Sequence, residues 1–297
     1  KLYDGHDWKW FRAGLLHTDM EYLRRHWSGK KSSAPVLEKR HQKYFLRFSY
    51  TEEVTLSKTP VKDQLICSVD LGINTDAVCS IMRSDGTVLD RKFINFPSEK
   101  DRLSHVLGRI RRFQKEHGSR QIGSRWAYAK RLNTELARKT ARSITEYAHE
   151  NHADVIVFEY LEMKGKISGK KRKKLHLWKK REIQTMCEHK AHRYGIRVSR
   201  VCAWNTSRLA YDGSGPVSRD PKNHSLCVFQ SGKQYNCDLS ASYNIGARYW
   251  IREIIKTLPE TERSSLEAKV PAVKRRTSCV YADLRKLHSE MELLKAA

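Results

Sequence analysis

Two short, mainly apolar runs, each ended by an acid, constrain this chain most. Leu65-Ile66-Cys67-Ser68-Val69 stops at Asp70, and Val155-Ile156-Val157-Phe158 stops at Glu159. Short apolar runs without alternation read as strands buried on both faces, and such strands need helices above and below them. Residues 76–82 and 87–94 read as two more strands, joined by the turn signal Ser84-Asp85-Gly86. Residues 101–117 and 124–151 predict helices. The longer one carries Ala129, Leu132, Leu136, Thr140, Ile144 and Tyr147 along one face. A helix from about Lys173 ends at Tyr194-Gly195, where glycine is the usual cap. Residues 196–201 form another strand, 204–236 an inserted loop domain rich in Ser, Asn, Gly and Asp, and Leu239 to about Leu258 a helix. The order βββ-α-α-β-α-β-insert-α predicts an α/β fold with a mixed sheet and helices packed on it.

Ahead of this unit the texture differs. Trp8, Phe11, Leu15, Leu16, Met20 and Leu23 recur at helical spacing, so residues 1–30 predict a helix. Residues 36–50 alternate roughly apolar and polar and read as two strands of a β-unit. Lys58 to Asp63, with Pro60, reads as a linker. The first 30 residues hold His, Asp and Arg at close intervals, so no signal peptide is visible. The chain starts at Lys1 rather than Met. Its apolar stretches are strand-sized, far short of the roughly 18 residues of a membrane span. Seven cysteines at wide spacing, without a C-x-x-C pair, predict free thiols in a reducing compartment.

Charge narrows the partner. The 297 residues hold 58 Lys and Arg against 33 Asp and Glu, a formal net charge of +25. A chain this basic repels itself until it meets a polyanion, and nucleic acid is the usual one. With 39% hydrophobic residues it is no disordered tail. Residues 164–181 hold ten Lys or Arg and no acid. Lys170, Lys171, Arg172, Lys173, Lys174, Lys179 and Arg181, with Arg138 and Arg142 of the long helix, are the expected nucleic-acid contacts, through phosphates and with salt-dependent affinity. Trp178 either stacks on a base or anchors its helix. The pairs His149/His152 and His189/His192 read as structural, since no H-E-x-x-H exists.

Asp70, Glu159 and Asp238 stand at element ends, where sites of open α/β sheets form. Asp70 has a plainer reading as a turn residue before Gly72, and Asp238 as a helix N-cap. If the three converge, they repel, and a divalent cation removes that repulsion. Mg2+ takes hard oxygen ligands, and two such ions clamp both oxygens of a phosphodiester displacement.

The motifs around these acids resemble one family. Val69-Asp70-Leu71-Gly72-Ile73-Asn74, Val157-Phe158-Glu159-Tyr160-Leu161 and Asn236-Cys237-Asp238-Leu239-Ser240-Ala241 resemble the three RuvC motifs of TnpB nucleases and small type V CRISPR effectors. The acids lie 89 and 79 residues apart, which suits that family. The resemblance covers residues 64–256. It implies an RNase H-like (RuvC) mixed sheet flanked by helices, with a small target-nucleic-acid-binding insert and an N-terminal wedge-barrel remnant. The implied division is 1–63 for the helix and wedge strands, 64–203 and 237–297 for the nuclease domain, and 204–236 for the insert. The implied activity is RNA-guided DNA endonuclease, cutting with Asp70, Glu159 and Asp238 on two Mg2+ ions, with Mn2+ as a substitute. Guide RNA and target DNA are the implied partners, in the cytoplasm of a prokaryote and associated with its nucleoid. An RNA-guided binder without cleavage and an unguided RNase H-like nuclease or transposase are the alternatives. The family's N-terminal half is nearly missing, so a separate half or a homodimer is expected.

One departure stands out. The family's insert holds a four-cysteine zinc ribbon, and Ala210, Gly213, Val228 and Ser231 occupy those four positions here. Tetrahedral zinc needs its donors, so no zinc is expected, and Leu209, Tyr211, Leu226, Phe229 and Tyr235 are expected to pack the insert instead. Arg208, in the stretch Thr206-Ser207-Arg208, is expected either to stabilise phosphate charge as a catalytic residue or to be a plain surface arginine.

Overall fold

A computed structural model describes residues 1–297 except 4, 11, 13, 41, 119–121, 161–178, 222, 224, 276 and 297. The chain divides into two units, Lys1–Val54 and Thr55–Ala297. In the first, β1 (Leu2–Tyr3) and β2 (Trp8–Lys9) pair antiparallel, with Gly5 between them at φ +104°. That left-handed backbone suits glycine and breaks the helix expected over 1–30. Among the described residues of this unit, only α1 (His17–Trp27) is helical. Then β3 (Lys31–Ser32) pairs with β6 (Tyr50–Thr51), and β4 (Val36–Arg40) with β5 (Lys43–Arg47), the hairpin expected at 36–50. Among the described residues these strands pair only two by two, and no closed barrel forms. None of this unit's described side chains is buried.

The second unit begins nine residues ahead of the boundary expected at 63/64. Asp154 explains why. One of its carboxylate oxygens accepts hydrogen bonds from the hydroxyls of Ser57 and Thr59, both at 2.6 Å, and the other accepts from the Leu65 amide at 2.9 Å. Residues 57–65 are thereby fastened to the start of the sheet rather than left as a linker.

The sheet is built from β7 (Ile66–Asp70), β8 (Ala77–Met82), β9 (Val88–Ile94), β10 (Val155–Tyr160) and β11 (Arg197–Cys202). Their spatial order is β11-β10-β7-β8-β9. The first three in sequence form an antiparallel meander, and β10 and β11 join parallel to β7. The connections carry α2 (Pro97–His117), α3 (Gly123–Glu150) and α4 (Lys180–Arg193). This is the mixed sheet that the apolar runs predict.

Alternate residues of each central strand serve two cores. Cys67, Val69, Ile156 and Phe158 face Ala137, Ala141 and Ile144 of α3 and Ile183 and Cys187 of α4. Ile66, Val155 and Val157 face the opposite way. They meet Tyr243, Trp250 and Ile254 of α5 (Cys237–Thr257), whose start lies two residues ahead of expectation. Beyond it, α6 (Glu260–Lys269) and α7 (Tyr281–Ala296) complete that core through Leu266, Leu284 and Leu287. The insert is a small sheet of β12 (Ser218–Arg219), β13 (Leu226–Val228) and β14 (Gln234–Asn236), more ordered than the loop its composition predicts. Among the described residues, no helix is long and apolar enough to cross a membrane.

Helix α5 lies close on the sheet at Gly246. A Cβ there would run into Met82 Sδ and lie 3.2 Å from Ser68 Oγ. Gly246→Ala should therefore destabilise the protein by about 1–3 kcal/mol, the cost of overpacking a filled core. Urea unfolding checks this, and an unchanged midpoint would show that the helix has room to move.

Candidate active site

The strand register brings two of the three acids together. β7 and β10 run parallel with Val69 opposite Phe158, so Asp70 and Glu159 stand level one residue further on, at the ends of adjacent strands. Pleat alternation turns both toward the α5 side, since Ile66 and Val155, each four residues back, pack there. Asp238 is the second residue of α5, which covers that face.

The plainer readings of these residues fall away. Asp70 is a strand residue paired with Val78, not part of a turn. The helix cap is Asn236, whose side-chain oxygen accepts from the Leu239 amide at 2.9 Å. Asp238 is thus left for another use.

Asp70 is 8% exposed and Glu159 9%. Burial, then the charges of Glu159 and Asp238, raise the Asp70 carboxyl well above the usual range. Burial also raises Glu159, opposed by the Thr206 hydroxyl, Lys180 and Arg248, and raises Asp238, opposed by Arg219. The three carboxylates thus feel one another without forming a cage. Among the described residues, no three His, Cys, Asp or Glu side chains are gathered to hold a metal ion. Their all-oxygen, hard donor set nevertheless fits a divalent cation such as Mg2+.

Two cations face the group. Lys180, at the start of α4, is largely buried, which lowers its ammonium to about 8 against the pull of Glu159 and Asp70. Arg219, on β12, acts on Asp70 and Asp238 and donates to the Ser207 carbonyl at 3.2 Å. Arg219 is itself exposed, and its charge is one that Asp70 and Asp238 feel from the insert. Arg208 lies exposed on the preceding turn, its amide bonded to the Asn205 carbonyl. No motif marked Arg219. It comes into place only when β12 pairs with β13.

The insert is also bound to the site at its base. Thr206, 2% exposed, donates its hydroxyl to Glu159. Asn244 on α5 donates to the carbonyls of Thr206 and Leu209 at 3.0 and 2.9 Å and accepts from the Tyr281 amide at 3.0 Å. Higher up, Tyr211 packs against Phe229, Tyr235, Tyr243 and Tyr281, with Cys227 buried beside it. At the four positions of the expected ribbon, Ala210, Gly213 and Val228 carry no donor atom. The hydroxyl of Ser231 donates to Asp212 at 2.7 Å, which links the two turns directly. These residues do not fit a zinc ion.

Of the expected nucleic-acid contacts, Lys170, Lys171, Arg172, Lys173 and Lys174 lie outside the described residues, as does Trp178. Lys179 is mostly covered and pairs with Glu182 at 2.5 Å. Arg181 is exposed on the first turn of α4. Arg138 and Arg142 are exposed on α3, facing Glu135 at 3.8 Å and Glu146 at 2.6 Å. His149 stacks on Tyr194, a structural contact.

Residues 181–245 match the family model described as Cas12f1-like, TNB domain. TnpB-like protein aq_aa05 of Aquifex aeolicus (strain VF5) is 26% identical over 247 residues, covering 75% of this chain and 79% of that protein. TnpB-like protein ORF457 of Acidianus two-tailed virus is 28% identical over 204 residues, covering 62% of this chain and 42% of that protein. Among solved structures, a Cas12f1–sgRNA–target DNA complex gives a TM-score of 0.48 at 20% identity, over 70% of this chain and 54% of that one. A CRISPR-Cas12f ternary complex gives 0.46 at 19% identity, over 77% and 48%. The resemblance to TnpB-like proteins and small type V effectors that the three motifs carry is thus met by independent comparison. The chain spans about half the length of those solved effectors.

The raised acids set a pH dependence for the metal-free protein. A folded carboxyl that titrates above its unfolded value keeps a proton that the unfolded chain has released. Stability is then greatest below the ordinary aspartate value and falls as pH rises through the window above it. Asp70→Asn removes the largest of these burdens. Thermal unfolding in EDTA should show Asp70→Asn melting higher than the parent chain near neutral pH, with the gap closing toward pH 4. A lower melting point at neutral pH would show that Asp70 is not held against its ionisation.

Proposed function

We propose that this chain is the nuclease part of an RNA-guided DNA endonuclease with an RNase H-like (RuvC) domain. The observation that carries this reading is the placement of Asp70, Glu159 and Asp238, at two level strand ends and a helix start, on one side of one sheet. Asp70, Glu159 and Asp238 would hold Mg2+ or Mn2+, and the bound ions would supply Lewis-acid chemistry at a phosphodiester.

The remaining roles belong to the chain's own side chains. Arg219, exposed on the insert, would face the place where phosphate charge grows and offset it. Lys180 balances the acids from the other side. Thr206 fixes the direction of the Glu159 carboxylate. The excess of basic residues carries nucleic-acid backbone, with guide RNA supplying sequence and target DNA as substrate. The insert is held by its aromatic packing and the Asp212–Ser231 hydrogen bond, without zinc.

The test is cleavage of labelled single-stranded DNA by the purified chain in Mg2+ or Mn2+, with its co-purified RNA left on or removed by RNase. Asp70→Ala, Glu159→Ala and Asp238→Ala should each abolish cutting while leaving DNA binding nearly unchanged. Cutting retained in any of them removes that residue from the site. Cutting that survives RNase defines an unguided nuclease.

Arginine variants separate the two candidates in the insert. Arg219→Ala should slow cleavage about 100-fold, the scale of one lost charge-stabilising donor. Arg208→Ala should cut at the parent rate in the same assay. The reverse result would reinstate Arg208.

Thr206→Val keeps the side chain's shape and loses its hydroxyl. It should lower the rate about 10- to 100-fold with unchanged DNA affinity, and Thr206→Ser should recover it. Equal rates for all three chains would show that Glu159 needs no such support.

A further inference from the structure

The connection between β9 and β10 is a pair of helices with a small core of its own. α2 and α3 run antiparallel, with Glu99 beside Lys139, Arg102 beside Tyr128 and Arg109 across from Arg125. Leu103, Val106 and Ile110 of α2 meet Ile122 and Ala129 of α3 in a cluster separate from the two cores on the sheet. With that seam fixed, helical spacing decides which side chains share each remaining side of the pair.

Four arginines share one side. The Arg102 guanidinium donates to the Tyr128 hydroxyl at 2.7 Å, and that of Arg131 lies 5.8 Å from the centre of the same ring. Arg109 and Arg125 line a cavity of about 250 Å³ that Tyr128 also borders. The Arg125 guanidinium sits 4.3 Å from the centre of the Phe113 ring. All four arginines are exposed. Among the described residues, none of the four forms an ion pair. The acids of these helices are engaged elsewhere, Glu99 with Lys139, Glu135 with Arg138 at 3.8 Å and Glu146 with Arg142 at 2.6 Å, while Asp101 lines a different cavity. Like charges gathered without a counter-charge repel one another, so the free protein bears a cost that a bound anion removes.

The shape of the array selects the anion. Arg102 and Arg109 are separated by about 10 Å along α2, and Arg125 and Arg131 by about 9 Å along α3, at the rise of an α-helix. The four therefore form two pairs, Arg102 with Arg131 and Arg109 with Arg125, too far apart for one phosphate to bridge. A polyanion with charges repeated along a line fits them. The rings of Tyr128 and Phe113 are half-buried with guanidiniums against them, so this side offers N–H donors rather than a stacking platform for unpaired bases. An arginine stacked on a ring keeps its fork of donors for phosphate. A double helix, with bases turned inward and phosphates outward, matches that chemistry.

We propose that this side of the α2–α3 pair binds the phosphate backbone of a nucleic-acid double helix, one pair of guanidiniums to each of two phosphates. The choice of nucleic acid as the polyanion rests on the nuclease reading above, but the test needs no cleavage.

A short fluorescein-labelled DNA duplex is titrated with the full chain in EDTA over a series of NaCl concentrations, and binding is read by anisotropy. Arg109→Gln with Arg131→Gln removes one guanidinium from each pair. The slope of log affinity against log salt should become shallower by about 2, one for each lost phosphate contact, and equally so for duplexes of unrelated sequence. Arg109→Lys with Arg131→Lys keeps the charge and should keep most of the slope. Arg263→Gln with Lys269→Gln removes the same net charge from α6, where both side chains are already paired, with Glu267 at 3.0 Å and Glu290 at 3.1 Å, and should leave the slope unchanged. The chain with both glutamines on α2 and α3 should melt no lower than the parent, which separates lost binding from lost fold. An unchanged slope in that chain, or an equal change in the α6 control, overturns the proposal. So does an equal loss of slope on a single strand of the same sequence. The expected behaviour in a chain that never cuts DNA in Mg2+ would leave this surface standing and remove the nuclease reading.

Discussion

Mutual repulsion of carboxylates at the edge of a dry core is the constraint around which this structure is arranged. Asp70 and Glu159 have little freedom to part, because each stands at or next to the end of a strand whose preceding residues are locked into two cores. The strain is relieved from outside the sheet. Lys180 comes from α4, Arg219 from the insert and the Thr206 hydroxyl from its base. Arg248 adds a buried guanidinium, which donates to the carbonyls of Cys279 and Cys202 at 2.9 and 2.7 Å and draws Glu159 toward its ionised form. Single cations near buried acids lessen the cost of ionisation without removing it.

Helix α5 does two jobs that compete in most helices. It is buried almost all round, with Trp250, Ile251 and Ile255 among its covered side chains, which gives the second core its mass. It also carries Asp238 at its half-buried start and Asn244 two turns along, where Asn244 holds the base of the insert and the start of α7. The core that stabilises the helix therefore also sets the position of the third acid.

Much of this was legible in the sequence, for identifiable reasons. The two buried strand runs are apolar because both their faces are covered, and their terminal acids are conspicuous against that background. The mixed sheet, the long helices and the placement of the insert were legible in the order of elements along the chain, whereas the spatial order of the strands was not. The first 30 residues misled because their apolar spacing implied a helix with a face to bury, while the unit has no buried core and Gly5 turns the chain back. Asp238 could be read as a cap because the helix start was placed two residues late, which hid Asn236. Arg219 left no local trace, because its approach to Asp70 depends on the pairing of β12 with a strand seven residues further on.

The insert leaves the body of the protein beside one acid and returns beside another. Its first turn is bonded to Glu159 through Thr206, and its last strand runs directly into the turn that bears Asp238. Both feet of this small sheet thus stand beside the three acids. A rigid swing of the insert would transmit its movement to two of the three acids at once.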